Sequence, residues 1–194
     1  MKKLYCFDFD GTITTRDTMF LFLRFYNPAR YYLQFMRHVP LFVLMKMKLA
    51  NTERVKKSFI TSILKDERQA KLEQLAQSFF EEYKNSIVRE NALDFFRNID
   101  KNATAYLVTA SLDIWVKPFA DHFNFGCIST EAKFVNGKFA GDFATRNCNG
   151  PEKVYRIKRT IDLTKFDKTI AFGDTSGDKQ MLDWADEGYF KFFH

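Results

Sequence analysis

Residues 4–14 read LYCFDFDGTIT, where a short apolar, aromatic run ends in two aspartates separated by one phenylalanine. A run of that length and composition predicts a buried strand. Carboxylates at its end are costly: one in apolar surroundings loses its hydration, and two close together repel. The stretch therefore needs a cation, unless it is a calcium loop or a surface turn. The EF-hand pattern fails, because Ile13 stands where that loop requires glycine and Met19 where it requires glutamate. Along an extended chain Asp8 and Asp10 lean the same way while Phe9 packs inward. Gly11 then lets the backbone turn sharply.

Outward from this stretch the pattern recurs. TAYLVTAS (104–111) reads as a second buried strand, and TIAFGD (169–174) as a third that again ends in an aspartate. From Asp17 to about Asn98 the periodicity is helical, with Leu72, Leu75, Phe79 and Tyr83 at three-to-four spacing. An amphipathic helix follows over DIWVKPFADHF (113–123), bent or started late by Pro118. Residues 128–145 alternate around Asn136-Gly137, a strong hairpin signal. Gly150-Pro151 opens a helix that runs through 161; DKQMLDWAD (178–186) is another, and GYFKFF (188–193) a last short strand.

This order predicts an α/β fold: a Rossmann-like parallel sheet with a helical cap inserted after the first strand and a β-hairpin before the third. The expected core is 1–14 and 100–194, and the cap 15–99. In such sheets ligands bind beyond the carboxyl ends of the strands, which brings Asp8, Asp10, Thr109, Ser111 and Asp174 to one rim. If Asp8, Asp10, Asp174 and Asp178 gather there, they need a cation, and oxygen-only donors suit Mg²⁺. Thr109 would offer a hydroxyl to an anion, and Lys153 a positive charge whose effect grows in a water-poor site. These parts suit phosphoryl transfer, in which a carboxylate attacks phosphorus and a neighbouring acid protonates the leaving oxygen.

DFDGT (8–12), VTAS (108–111), GPEK (150–153) and GDTSGD (173–178) resemble, in chain order, the four motifs of haloacid dehalogenase-like (HAD) phosphatases. The helical insert resembles that family's cap, so the likeness covers essentially the whole chain. It implies Asp8 as nucleophile and Asp10 as general acid/base, with the backbone carbonyl of Asp10 also on the metal. It implies Thr109 to hold the phosphoryl group, Lys153 to neutralise it, and Asp174 and Asp178 to bind or position Mg²⁺. Gly11, Ala110 and Ser111 fall on the substrate-binding side; Ser111 could replace Thr109 in its role, and Lys158 could replace Lys153. Within the superfamily the chain looks most like the phosphoserine-phosphatase branch, and TASLDIWVKPFA (109–120) with the apolar cap is similar to bacterial phosphatidylglycerophosphatase-type members. Asp17 matches an acidic residue that contacts substrate in phosphoserine phosphatases; Arg16 is a second candidate.

Composition bounds the partners. The 194 residues carry a net charge of +6, with 46% hydrophobic and 28% charged residues, ordinary for a globular protein. Cys6, Cys127 and Cys148 are widely spaced and lack a CxxC pattern, which argues for a reducing compartment and against zinc. GDTSGD also looks like a serine-protease stretch, but the chain is not all-β and its histidines stand in no supporting context. From Thr18 to Thr52 there is no Asp or Glu, yet there are Arg24, Arg30, Arg37, Lys46 and Lys48 among aromatic and aliphatic residues. No apolar run there is long enough to span a bilayer. The segment fits either an element lying on an anionic membrane surface or a cap packed on itself.

The resulting expectation is a Mg²⁺-dependent phosphomonoester hydrolase with a lipid phosphate such as phosphatidylglycerophosphate as favoured substrate. The alternative is a soluble metabolite, phosphoserine-like or a sugar phosphate; a non-catalytic membrane-surface or scaffold protein is the reading of another class. The expected location is cytoplasmic, and peripheral on the inner membrane surface if the basic apolar segment meets lipid. Nucleic acid is not an expected partner, because the basic stretch is interleaved with aliphatics as much as with stacking aromatics.

Overall fold

A computed structural model describes all 194 residues. Strand β1 (Lys3–Phe7) is followed by five helices: α1 (Thr18–Tyr26), α2 (Pro28–Lys46), α3 (Thr52–Leu64), α4 (Gln69–Ile87) and α5 (Glu90–Arg97). The chain then returns through β2 (Thr104–Leu112), α6 (Asp113–Phe123) and β3 (Gly126–Thr130). A hairpin of β4 (Ala132–Val135) and β5 (Lys138–Phe143) comes next, then α7 (Pro151–Thr160), β6 (Lys168–Gly173), α8 (Lys179–Trp184) and β7 (Glu187–Phe190).

The main sheet has the order β3-β2-β1-β6-β7 with every neighbouring pair parallel. The α/β architecture, the helical insert after the first strand and the hairpin are therefore as expected. Two local readings change. Gly126–Thr130 joins the sheet edge as a strand of its own, separated from the hairpin only by Glu131, which is why alternation alone merged the two. Pro118 does not delay α6, which begins at Asp113 and carries the proline inside it.

β1 is covered on both faces, as central parallel strands are. Leu4 and Cys6 belong to a small apolar cluster with Val108, Ile157, Ala171 and Met181, whereas Tyr5 and Phe7 belong to a larger one that continues into the insert. Phenylalanine, present 23 times, builds much of the latter. Phe7 stacks on Phe172 with centroids 4.9 Å apart, and Phe22 of α1 stacks on Trp115 of α6 at 5.2 Å. Phe96 of α5 meets Phe7 edge-on at 5.1 Å. Such pairs add about 0.5–1.5 kcal/mol beyond burial, so the insert is fastened to the sheet and to α6 by aromatic contacts.

The insert's helices start on side-chain caps: Asp17 accepts from Met19 N–H, Asn27 from Arg30 N–H and Asn51 from Arg54 N–H. The hairpin props the insert from below. Its turn, Asn136-Gly137, takes positive φ at both residues, as a two-residue hairpin requires. Phe139 exchanges backbone hydrogen bonds with Asp66 and Glu67, both at 2.9 Å, and Thr61 Oγ1 donates to Gly141 O at 2.8 Å. Cys6 and Cys148 are buried free thiols, pushed up to about 12 and about 11 by burial, while Cys127 is only partly covered.

Candidate active site

β1 ends at Phe7, and the loop that follows stays on the sheet because Asp8 N–H donates to Phe172 O of β6 at 2.9 Å. Phe9 is fully buried against Phe119, ring centroids 5.2 Å apart. That anchor leaves the side chains on either side of it free to line the cavity at the carboxyl edge, as both Asp8 and Asp10 do. Gly11 makes the turn with φ +82°, and a Cβ there would come within 2.4 Å of Asp174 Oδ2. Glycine is required twice over, for the backbone angle and for the approach of a carboxylate. Arg89 ties down the same turn by donating to Gly11 O at 3.1 Å.

Lys153 reaches this edge from the first turn of α7, which Pro151 opens. Its ammonium is 2.6 Å from both Asp8 Oδ1 and Asp178 Oδ1, and all three side chains are buried. Lys158, the sequence alternative, is exposed on the same helix. Asp178 is further held by N–H and O–H donors of Thr175, at 3.0 and 2.9 Å, and by Asp174 N–H at 3.2 Å. Asp174 takes the space above Gly11. Thr12, buried and not singled out by the sequence reading, lies 3.0 Å from Asp8 Oδ2 and 3.1 Å from Asp174 Oδ1. Its single hydroxyl hydrogen can satisfy only one of them.

The carboxylates of Asp8, Asp174 and Asp178 each bring an oxygen within 4.8 Å of the others. Lys153 is the one buried cation among three acids. Burial pushes Asp8 up to about 7, Lys153 opposes that rise and Asp178 adds to it. Asp174 is likewise raised by burial. Burial also acts on Asp178, but Lys153 outweighs it and holds that group below the ordinary carboxylate range. Lys153 is itself raised, since Asp8 and Asp178 overcome its desolvation. An uncompensated pair of carboxylates and an all-oxygen donor set fit a hard divalent cation.

Asp10 is a different case. It lines the same cavity as Asp8 but stands outside the close cluster of Asp8, Asp174 and Asp178. Its Oδ1 accepts from both N–H and O–H of Thr18, at 2.6 Å each. Ser111 Oγ donates to Asp10 Oδ2. Burial first, and the charge of Asp17 second, push Asp10 up to about 6.

The second strand meets this site through an irregularity. Pairing of β2 with β3 shifts between Thr109 and Leu112, so Ala110 and Ser111 leave the ladder at the cavity wall, a common use of a bulge. Thr109 is buried and its Oγ1 accepts from Ser111 N–H at 3.1 Å. Thr109, Ala110 and Ser111 all line the cavity. The insert closes the far side with Asp17, Thr52, Glu53 and Lys56, the last 3.6 Å from Asp17 Oδ2. Arg16 and Gly11 do not line the cavity; Arg16 is exposed, and Gly11 lies beneath Asp174. Asn147 and Asn149 do line it. Neither stood out in the sequence, although an asparagine-rich stretch directly before GPEK was there to be read.

Comparison with known proteins gives the fold and the family. Protein CicA of Caulobacter vibrioides is 32% identical over 193 residues, covering 98% of this chain and 86% of the relative. Among solved structures, a protein of unknown function from Bordetella pertussis Tohama I superposes with a TM-score of 0.82 at 18% identity, over 98% of this chain and 89% of that one. A phospho-aspartyl intermediate analogue of phosphoserine phosphatase gives 0.67 at 18% identity, over 97% of this chain and 85% of that one. The haloacid dehalogenase-like hydrolase profile matches residues 6–183, so the chain belongs to the haloacid dehalogenase-like hydrolases.

Proposed function

We propose that the protein hydrolyses phosphate monoesters through an aspartyl phosphate on Asp8, with Mg²⁺ at Asp8, Asp174, Asp178 and the carbonyl of Asp10. The observation that carries this reading is Asp8 itself, one oxygen on Lys153 and the other on Thr12, in a cluster where three carboxylates share a single buried ammonium. Asp8 attacks phosphorus as the ester P–O bond breaks, and Asp10 gives its proton to the departing oxygen. Water then attacks phosphorus and gives a proton to the Asp10 carboxylate, and the bond to Asp8 breaks to release phosphate. A group held near 6 serves both directions of that transfer at neutral pH. Thr109, with the backbone of Ala110 and Ser111 out of the ladder, would hold the phosphoryl oxygens, and Lys153 would offset their charge. Mg²⁺, when bound, supplies shielding between the nucleophile and the phosphate dianion. In this reading residues 1–14 and 100–194 form the catalytic core, and 15–99 the cap.

The substrate reading best supported is a small soluble phosphate ester. The cavity is about 380 Å³, at the low end for small-molecule sites. Its cap side carries Asp17, Glu53 and Lys56, suited to a polar or zwitterionic body. The phosphoserine phosphatase among the structurally similar proteins points the same way. A lipid phosphate is the second reading, favoured by the apolar outer face of α2. The test is phosphate release from phosphoserine, sugar phosphates, lysophosphatidate and phosphatidylglycerophosphate, with and without Mg²⁺. Release that needs Mg²⁺ and disappears in Asp8→Asn is expected. Inactivity on every ester in saturating Mg²⁺ would overturn the proposal and favour a non-catalytic role.

A further inference from the structure

We infer that the outer face of α2 docks on an anionic lipid bilayer. The inner face of this helix is already satisfied: Tyr31, Phe35, His38 and Phe42 pack around Phe59 with ring centroids 5.3–6.2 Å from it. His38 also has partners at both ring nitrogens, Gln34 O and Ser58 Oγ. The opposite face is apolar as well. Tyr32, Leu33, Met36, Val39, Val43 and Leu44 recur at helical spacing on the exposed side, and Met47 and Leu49 extend the stripe beyond the helix. Leu33, Met36, Val43, Met47 and Leu49 each keep more than half of their surface in water. A soluble helix normally turns polar residues outward, and a contiguous exposed apolar stripe marks a contact surface.

Charge selects the occupant. Arg37 and Lys46 of α2 and Lys48 just beyond it are exposed, Arg30 donates from the start of the helix to Ser62 O at 3.0 Å, and Arg24 of α1 lies beside Tyr32. None of the five has a carboxylate within 4.0 Å, although other lysines and arginines form eleven such pairs. An apolar face rimmed by unpaired cations matches an anionic interface, the aliphatic residues entering the acyl boundary and the cations meeting headgroups. A second copy would bring the same basic rim against itself. No helix is long and apolar enough to cross a membrane, so α2 would lie along the surface. Leu49 is three residues from Thr52, which lines the cavity. At most roughly 10 Å of chain separates them, and docking therefore sets the cavity mouth beside the bilayer.

The inference stands apart from the phosphatase reading, because binding is measured without turnover. The full chain is co-sedimented with phosphatidylcholine vesicles and with vesicles in which about a quarter of the lipid is phosphatidylglycerol. Binding to the second alone, weakened by salt, is expected. Arg37→Gln should weaken it about fivefold, the effect of one cation near such a surface. Met36→Glu with Val43→Glu and Met47→Glu should abolish it, with circular dichroism and hydrolysis of p-nitrophenyl phosphate unchanged. No binding to anionic vesicles, or equal binding by the triple variant, would overturn the inference. So would a concentration-dependent dimer that the triple variant dissolves while vesicles go unbound.

Discussion

Replacing Lys153 by Met removes the only buried cation between Asp8 and Asp178 while keeping an unbranched stem of similar reach. Each carboxylate loses a partner at 2.6 Å, at a site where all three side chains are shielded from water. Breaking a buried pair this way costs about 3–5 kcal/mol. The cost should depend on pH. Asp8 has its folded value raised from 3.8 to about 7, so the folded state binds that proton more tightly than the unfolded chain. Its contribution is complete at low pH and is lost as pH climbs from about 4 through about 7. Without Lys153, which pulls Asp8 down, the loss continues to higher pH. Asp178 acts in the opposite sense: Lys153 holds it low, and that stabilisation, present above the ordinary value, goes with the lysine. Urea unfolding without Mg²⁺ should therefore show the full ~3–5 kcal/mol penalty near pH 8 and about half or less near pH 5, where Asp8 is neutral in both proteins. Excess Mg²⁺ binds only the folded state and should narrow the gap, because carboxylates freed of Lys153 hold a divalent cation more tightly than the wild-type cluster does, yet activity should stay about 10²-fold down or lower. A penalty equal at both pH values would refute the electrostatic account and leave only packing.

Two further outcomes follow from the same cluster. Gly11→Ala puts a methyl 2.4 Å from Asp174 Oδ2 at a φ of +82°, so the Mg²⁺ titration midpoint should rise at least about tenfold beyond the ~1 kcal/mol of backbone strain. Gly137→Ala, at φ +71° with nothing within 4 Å, should show the strain alone, and equal midpoints for the two variants would refute the reasoning. Because Asp8 ionises at about 7 in the metal-free protein and only the carboxylate binds metal, Mg²⁺ affinity near pH 6 should be about a tenth of that near pH 8. Calorimetry in two buffers of different ionisation enthalpy would register the released proton, and pH-independent affinity would contradict it.

The acidic rim was legible because the strands that build it are short apolar runs closed by Asp8, Thr109 and Asp174, a pattern that periodicity and sheet topology bring to one edge. Lys153 was legible through Pro151, which fixes the start of its helix and so the direction of its first turn. Other features depend on contacts that no local pattern encodes. The side chain of Asp10 is aimed by Thr18 on the insert and by Ser111, 101 residues away. Thr12 sits inside the most conspicuous motif, yet its role becomes visible only when Asp174 arrives from the far end of the chain. For α2 the sequence offered two readings, membrane contact or internal packing. One apolar face packs around Phe59 and the other is exposed, because composition fixes how much apolar surface exists and tertiary packing decides which side is covered.

Asp8 and Asp10 are two residues apart and share a loop, but their surroundings give them separate tasks in the proposed reaction. Asp8 is fixed entirely by core elements: α7 through Lys153, β6 through its backbone, and the turn that holds Thr12. Asp10 is shared between core and insert, since Ser111 belongs to β2 while Thr18 is the first residue of α1. Its two bonds from Thr18 hold one oxygen at the point where the insert begins, beside the Asp17 charge that raises its pKa. A movement of α1 relative to the sheet would therefore lengthen those bonds and change the distance to Asp17, while leaving the Asp8–Lys153 pair intact. In the proposed reaction, the position of the insert and proton transfer would be joined at the Asp10 carboxylate, whereas the proposed nucleophile Asp8 would be held independently of the insert. Thr18→Val is the substitution that separates them: it deletes the hydroxyl donor, keeps the N–H, and leaves the cluster around Asp8 untouched.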